Sequence, residues 1–190
     1  MKKCYTVFVI LGILFNSQAS FAQSSIRFNN QDLFLNGANF AWVNFANDIG
    51  PGVTNFVRFE QIFQQVHENG GNAMRLWLHT TGGITPEFDS NGFVISPGQG
   101  SIDNLRQILD IGWDYNVGVI PCLWSFDMLN TRDNPSSVTD RSYLLLTDTI
   151  RLQSYIENSL IPMVDALKYH PAIIAWEIFN EPEGMSNEHR

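Results

Sequence analysis

The chain has 190 residues, with eleven basic and nineteen acidic side chains and a formal charge of −8. An acidic excess of that size argues against nucleic acid and anionic membrane surfaces as partners. Hydrophobic residues at 44% and aromatic residues at 13% exclude a disordered chain, because they supply enough apolar surface for a core and leave rings for a binding cleft.

Residues 1–22 read as a secretory signal. Lys2 and Lys3 form a basic start, Val7 to Phe15 are a short apolar stretch, and Ser20-Phe21-Ala22 is a small-x-small cleavage site before Gln23. The apolar stretch is too short to span a bilayer, so no membrane span is expected. Cleavage predicts a secreted, extracellular or periplasmic chain over residues 23–190, with the formal charge moved to −10 because nine basic residues then face nineteen acidic ones. Cys4 would leave with the signal. Cys122 then has no intrachain partner, and it reads as a packed strand residue in preference to a reactive one.

Residues 26–35 predict a small hairpin around the polar turn Asn29 to Asp32. A first long strand is expected at 38–44. Phe59, Ile62, Phe63 and Val66 then recur at i, i+3, i+4 and i+7, which predicts a helix ended by Gly70-Gly71. A second strand follows at 73–79. A second helix fits 102–115, with Ser101 as its N-cap, and a third strand fits 118–124. A third helix at 149–168 carries the stripe Leu152, Tyr155, Ile156, Met163, Val164 and Leu167 and should kink at Pro162.

Two strand-to-helix segments, 80–100 and 125–148, are long enough to wall a cleft. The first holds Phe88-Asp-Ser-Asn-Gly-Phe93, which resembles a hairpin. The second holds Met128, Arg132, Asp133, Asn134 and Tyr143.

The fourth strand is the most informative segment. The apolar run Ala172-Ile-Ile-Ala-Trp-Glu-Ile-Phe-Asn-Glu-Pro-Glu183 delivers Asn180 and Glu181 together at its end. Four strand–helix repeats predict α/β architecture with a parallel sheet. A (β/α)8 TIM barrel keeps its chemistry at that end of the strands and needs about 250 residues, so the expectation is a barrel truncated after the fourth strand. A doubly wound sheet is the weaker alternative, since no Gly-rich phosphate loop follows any strand.

Alternation in the second strand puts Ala73, Arg75, Trp77 and His79 on one face and Met74, Leu76 and Leu78 on the other. A buried Arg75 requires a carboxylate, and Glu177 or Glu181 could supply one. Either the pair is purely structural or Arg75 positions catalytic carboxylates. Glu181 at the rim is the acid/base candidate, Glu177 lies deeper behind it, and Glu183 lies in the turn. Asn180 is either an ordinary turn amide or a hydrogen-bond donor to a sugar hydroxyl.

Trp42, Trp77 and Trp124 fall near strand ends, where rings could stack on a pyranose, although a ring taken alone more often belongs to the core. His79 is a candidate substrate contact. His67, His170 and His189 lie scattered on other elements, so no metal site and no cofactor are expected.

These residues resemble glycoside hydrolase family 5. Asn180-Glu181-Pro182 after an apolar strand, with Arg75 in the second strand, is that family's pattern. The stretches Phe34 to Asp48, Gly70 to His79 and Leu152 to Val164 are similar to its endo-β-1,4-mannanases. The resemblance implies a retaining hydrolase of a β-1,4-linked polysaccharide, mannan or glucomannan before cellulose. It makes Glu181 the acid/base, with Asn180 contacting the sugar and Arg75 supporting the carboxylates. The family's nucleophile, a glutamate on the seventh strand, has no counterpart in these four strands, so this stretch alone is expected to be inactive. The competing expectation is a non-catalytic half barrel that binds carbohydrate and needs a partner to cover its open sheet edges.

Overall fold

The computed structural model describes residues 26–28, 30–50, 52 and 54–185. The expected signal at 1–22 lies outside them.

The described residues begin with the expected hairpin, β1 (Ile26–Phe28) and β2 (Gln31–Leu33), although Gln31 and Asp32, expected in the turn, belong to β2 and pair with Phe28 and Arg27. Phe28 packs edge-to-face on Trp113 at 5.7 Å. β3 (Gly37–Asn39) follows and is shorter than the expected strand 38–44. The Asp48 carboxylate curls the chain away from the sheet by accepting from the backbone N–H groups of Val43 (2.7 Å) and Asn44 (2.8 Å).

Helix α1 (Phe56–Glu68) begins where the Asn55 side chain accepts from Arg58 N, and it buries Phe59, Ile62 and Phe63. β4 (Ala73–Thr80) sends Met74, Leu76 and Leu78 into the core, as alternation requires. The next segment contains the expected hairpin, formed by β5 (Glu87–Phe88) and β6 (Val94–Ser96).

Helix α2 (Ser101–Asp114) has Gly100, not Ser101, at its N-cap. Ser101 is already helical, and its hydroxyl turns back to the Pro97 and Gly98 carbonyls. Gly100 takes φ = 72°, where a Cβ would be strained. β7 (Gly118–Ser125) runs parallel to β4.

The segment 125–148 is not an open loop. A 3₁₀ turn at Phe126–Leu129 leads to helix α3 (Ser136–Thr147). Its buried positions are Val138, Thr139, Ser142 and Leu145, half of them polar, so no apolar period marks the helix.

The last helical segment is α4 (Thr149–Tyr155), a π turn (Ile156–Leu160) and α5 (Ile161–Leu167). The wider turn lets Ile161 N reach Ile156 O just before Pro162, which has no N–H to give. β8 (Glu177–Asn180) pairs parallel with β7.

The main sheet has the order β3-β4-β7-β8, all parallel. Strand order follows chain order with no reversal, unlike a doubly wound sheet. α1 and α2 pack on its outer face through Phe59, Phe63, Leu105, Ile108 and Leu109, all fully buried. No helix among the described residues is long and apolar enough to cross a membrane.

Candidate active site

Arg75, Cys122 and Glu177 meet within the sheet, below the carboxyl end of its strands. Parallel register sets Arg75 opposite Ile120, Trp77 opposite Cys122, and Cys122 opposite Glu177. One strand, β7, therefore lies between Arg75 and Glu177, with an offset of two residues along it, and the guanidinium spans the gap. Arg75 Nε donates to Glu177 Oε2 and Nη2 to Oε1, both at 2.6 Å.

This is the two-pronged geometry that favours arginine over lysine. The guanidinium holds the Glu177 carboxyl below the usual carboxylate range, against the opposing effect of burial. Arg75 is raised in turn, first by the bond to Glu177, with the charge of Glu181 also contributing. Of the two partners open to Arg75, the structure selects Glu177.

The other arms of Arg75 are also used. Nη1 donates to Asn39 Oδ1 at 3.0 Å, and Nη2 donates to Asn180 Oδ1 at 2.9 Å. Trp77 donates its indole N–H to the same Asn39 oxygen at 3.3 Å, and the guanidinium lies over the Trp77 ring at 5.2 Å. Cys122 is buried beneath, with Arg75 Nη2 3.5 Å from its sulfur. Burial pushes the Cys122 thiol up to about 12, so it stays protonated and unreactive.

Asn180 departs from strand alternation. Ile178, of the same parity, faces outward and is 72% exposed, whereas the Asn180 side chain is buried and turned to Arg75. β8 ends there, and Glu181 takes a left-handed backbone (φ = 50°) that is rare outside glycine. This places the Glu181 carboxylate outside the strand, at the exposed rim. Gly184 N donates to the Glu181 carbonyl at 2.9 Å, closing a tight turn around Pro182.

The tryptophans divide. Trp42 is half-buried, edge-on to Trp77 at 4.9 Å and beside the exposed ring of Phe45 at 4.6 Å. Its indole N–H donates to Thr80 Oγ1. Trp77 and Trp124, expected as open rim faces, are 8% and 4% exposed, and His79, expected as a substrate contact, is 1% exposed.

Trp77 lies against Trp42, whereas His79 and Trp124 are covered by the segment after β4, where Thr85 Oγ1 is 3.0 Å from His79 Nδ1 and Gly82 lies against the Trp124 ring. β4 and β7 lose register after Trp77, so that Thr80 pairs with Trp124. The β5–β6 segment also packs down on α4 and the π turn, where Val94 N donates to Ser154 Oγ and Asn158 Nδ2 to Val94 O. His79, Trp124 and Tyr155 then stack together at 4.8, 5.7 and 5.3 Å. Burial lowers His79 to about 3 and keeps it neutral.

Asn39 and Ser125 carry contacts at the site that the sequence reading passed over. Both stand at the last residue of a parallel strand, and that position was the available signal. Among the described residues, no group of three or more His, Cys, Asp or Glu side chains could hold a metal ion.

Fold and site together define a sequentially wound parallel α/β protein with Asn39, Asn180 and Glu181 at or just past the carboxyl ends of the strands and the Arg75–Glu177 pair behind them. The proteins it is similar to are mannanases. It is 36% identical over 181 residues to a mannan endo-1,4-beta-mannosidase of Mytilus edulis, covering 92% of this chain and 48% of that protein. It is 38% identical over 165 residues to another from Cryptopygus antarcticus, covering 85% of this chain and 41% of that one.

Among solved structures, the beta-1,4-mannanase of the sea hare Aplysia kurodai superposes with a TM-score of 0.77 at 39% identity, over 85% of this chain and 46% of that chain. The blue mussel beta-mannanase gives 0.75 at 37%, over 84% and 44%. The chain spans about half the length of the curated relatives it matches. No family model matches the sequence.

Proposed function

We propose that residues 23–190 are the first half of a (β/α)8 barrel of glycoside hydrolase family 5, that the whole protein is a secreted endo-β-1,4-mannanase, and that Glu181 is its acid/base. The observation that carries this reading is the rim position of Glu181 next to Asn180, with Arg75 and Glu177 locked together behind them. The substrate class is taken from the similar proteins, a mannan endo-1,4-beta-mannosidase and a beta-1,4-mannanase among them.

In this mechanism Glu181 gives its proton to the glycosidic oxygen as the bond to the anomeric carbon breaks. A second carboxylate, about 5 Å away, attacks that carbon from the opposite face. Glu181, now a carboxylate, takes a proton from water, and the hydroxide released displaces the second carboxylate with net retention. The second carboxylate belongs to strands beyond the four described. The remaining N–H of Asn180 donates to the sugar 2-hydroxyl, a bond that strengthens in the transition state.

An uncovered apolar groove on the outer face of β8, lined by Leu123, Leu160, Ile161, Val164, Trp176 and Ile178, supports further strand–helix units packing there. The same groove favours a second reading, a carbohydrate-binding half barrel covered by a partner. Purified residues 23–190 separate the two on a sizing column: aggregation fits the half of a larger domain, and a discrete soluble dimer favours the binding module.

The direct test is hydrolysis of mannan and cellulose by the full-length protein and its Glu181→Gln variant. Glu181→Gln should lower the rate at least roughly 100-fold. An unchanged rate overturns the acid/base assignment. Amino-terminal sequencing of exported protein should begin at Gln23, and an intact Met1 would defeat the signal.

A further inference from the structure

The buried hydroxyl of Ser125, at the end of β7, touches the site from the side opposite Arg75. It donates to Asp127 Oδ2 at 2.8 Å and accepts from Asn180 Nδ2 at 3.4 Å. Ser125 is 0% exposed and Asp127 9%. We propose that Ser125 and Asp127 are positioning residues for the acid/base loop: together they fix which way the Asn180 amide faces, and so direct its remaining N–H to the sugar. This inference rests on the reading of Asn180 and Glu181 given above.

Hydrogen-bond inventory carries the argument. A serine hydroxyl has one hydrogen, and an ionised aspartate has none. Asp127 therefore takes the only hydrogen of Ser125, which leaves Ser125 Oγ with lone pairs alone to offer Asn180. Only the NH₂ end of the amide can face such an oxygen. At the other end Arg75 offers donors alone, so only the carbonyl oxygen of Asn180 can face it. The two constraints agree, and a flipped amide would clash electrostatically with both neighbours. One N–H of Asn180 is spent on Ser125 and one is left.

A second contact ties the same turn to Glu181. Phe126 lies against Gly184 so closely that a Cβ there would sit 2.8 Å from the Phe126 ring. Gly184 in turn donates to the Glu181 carbonyl. The Ser125–Asp127 turn is anchored from below, where the Asp127 carbonyl accepts from Asn134 Nδ2 at 2.7 Å and from Asn130 N at 3.1 Å. One short turn thus supports both residues of the Asn180-Glu181 pair.

The test uses the full-length protein with Ser125→Ala, Asp127→Asn and the double variant. Each is assayed on a β-mannoside substrate and on an aryl β-glycoside lacking the 2-hydroxyl at the scissile sugar. Each single change should lower kcat roughly 5- to 20-fold with KM within about twofold. The double variant should be no slower than Ser125→Ala, because Asp127 acts through the serine hydroxyl.

The penalty should largely vanish on the substrate without the 2-hydroxyl, a readout that a merely structural turn would leave unchanged. Unaltered kcat in both single variants, additive losses, or an equal penalty on both substrates overturns the proposal. If Ser125→Ala does not fold, the near-isosteric Asp127→Asn decides on the two substrates alone. Glu181→Gln separates the failures: if it keeps activity the functional reading falls, and if it is inactive while the turn variants are normal only this inference falls.

Discussion

Arg75 and Glu177 are 102 residues apart in sequence and meet through two parallel 2.6 Å hydrogen bonds, Nε to Oε2 and Nη2 to Oε1. The pair is the frame of the site. Asn39 and Asn180 each attach to the same guanidinium, so displacing it disturbs three strands at once.

Breaking this pair should destabilise the fold. Glu177→Gln leaves Arg75 with a neutral partner and should cost roughly 1–3 kcal/mol, less than a fully buried pair because a third of the carboxylate side chain remains exposed. The folded Glu177 sits below its unfolded value of 4.5, so its stabilisation is complete above that pH and is lost as pH falls through the folded value. Denaturant titrations between pH 3 and pH 7 should show a shallower acid loss for Glu177→Gln than for the parent. Identical slopes would show that the pair carries no pH-linked stability.

Glu181 occupies a conformation suited to glycine, at φ = 50°. Glu181→Gly should raise folding stability by about 0.5–1 kcal/mol by removing that strain, while abolishing hydrolysis. Opposite movement of stability and activity is the signature of a residue held in place for chemistry. A variant that is both inactive and less stable would locate the value of Glu181 in the fold.

His79 should remain neutral across the physiological range, since burial lowers it to about 3. The unfolded chain protonates this residue near pH 6.5 and the folded chain does not, so stability from this group is greatest above pH 6.5 and falls by up to about 1.4 kcal/mol per pH unit below it. The His79 ring resonances, assigned by comparison with a His79→Gln variant and followed from pH 8 to pH 5, should not titrate. A titrating His79 would mean that the segment after β4 opens.

Cys122 should be silent to thiol reagents in the folded protein, because it is 1% exposed and pushed up to about 12. Peptide mapping after brief alkylation at pH 8 should find it unmodified, and mapping after denaturation should find it fully labelled. Rapid native labelling would show that the Arg75–Glu177 pair does not seal the sheet interior.

Much of the fold was readable from local pattern. The Phe59, Ile62, Phe63 stripe fixed α1, alternation placed Met74, Leu76 and Leu78 in the core, and the turn residues set both hairpins. Helix α3 escaped notice because Thr139 and Ser142 occupy half of its buried face. The kink expected at Pro162 took the form of a π turn one step earlier, a choice between two ways of losing one hydrogen bond that composition does not make.

Strand–helix alternation and the arrival of Asn180-Glu181 at a strand end were set locally, because both depend on periodicities of a few residues. Tertiary structure alone decided that Arg75 takes Glu177 and not Glu181, since that depends on register across three strands. It also decided that Trp42 stays half-buried against Trp77 while Trp124 and His79 are enclosed, because the segment after β4 folds over them. Local pattern says which face of a strand a side chain leaves from. What covers that face is a property of chain segments far away in sequence.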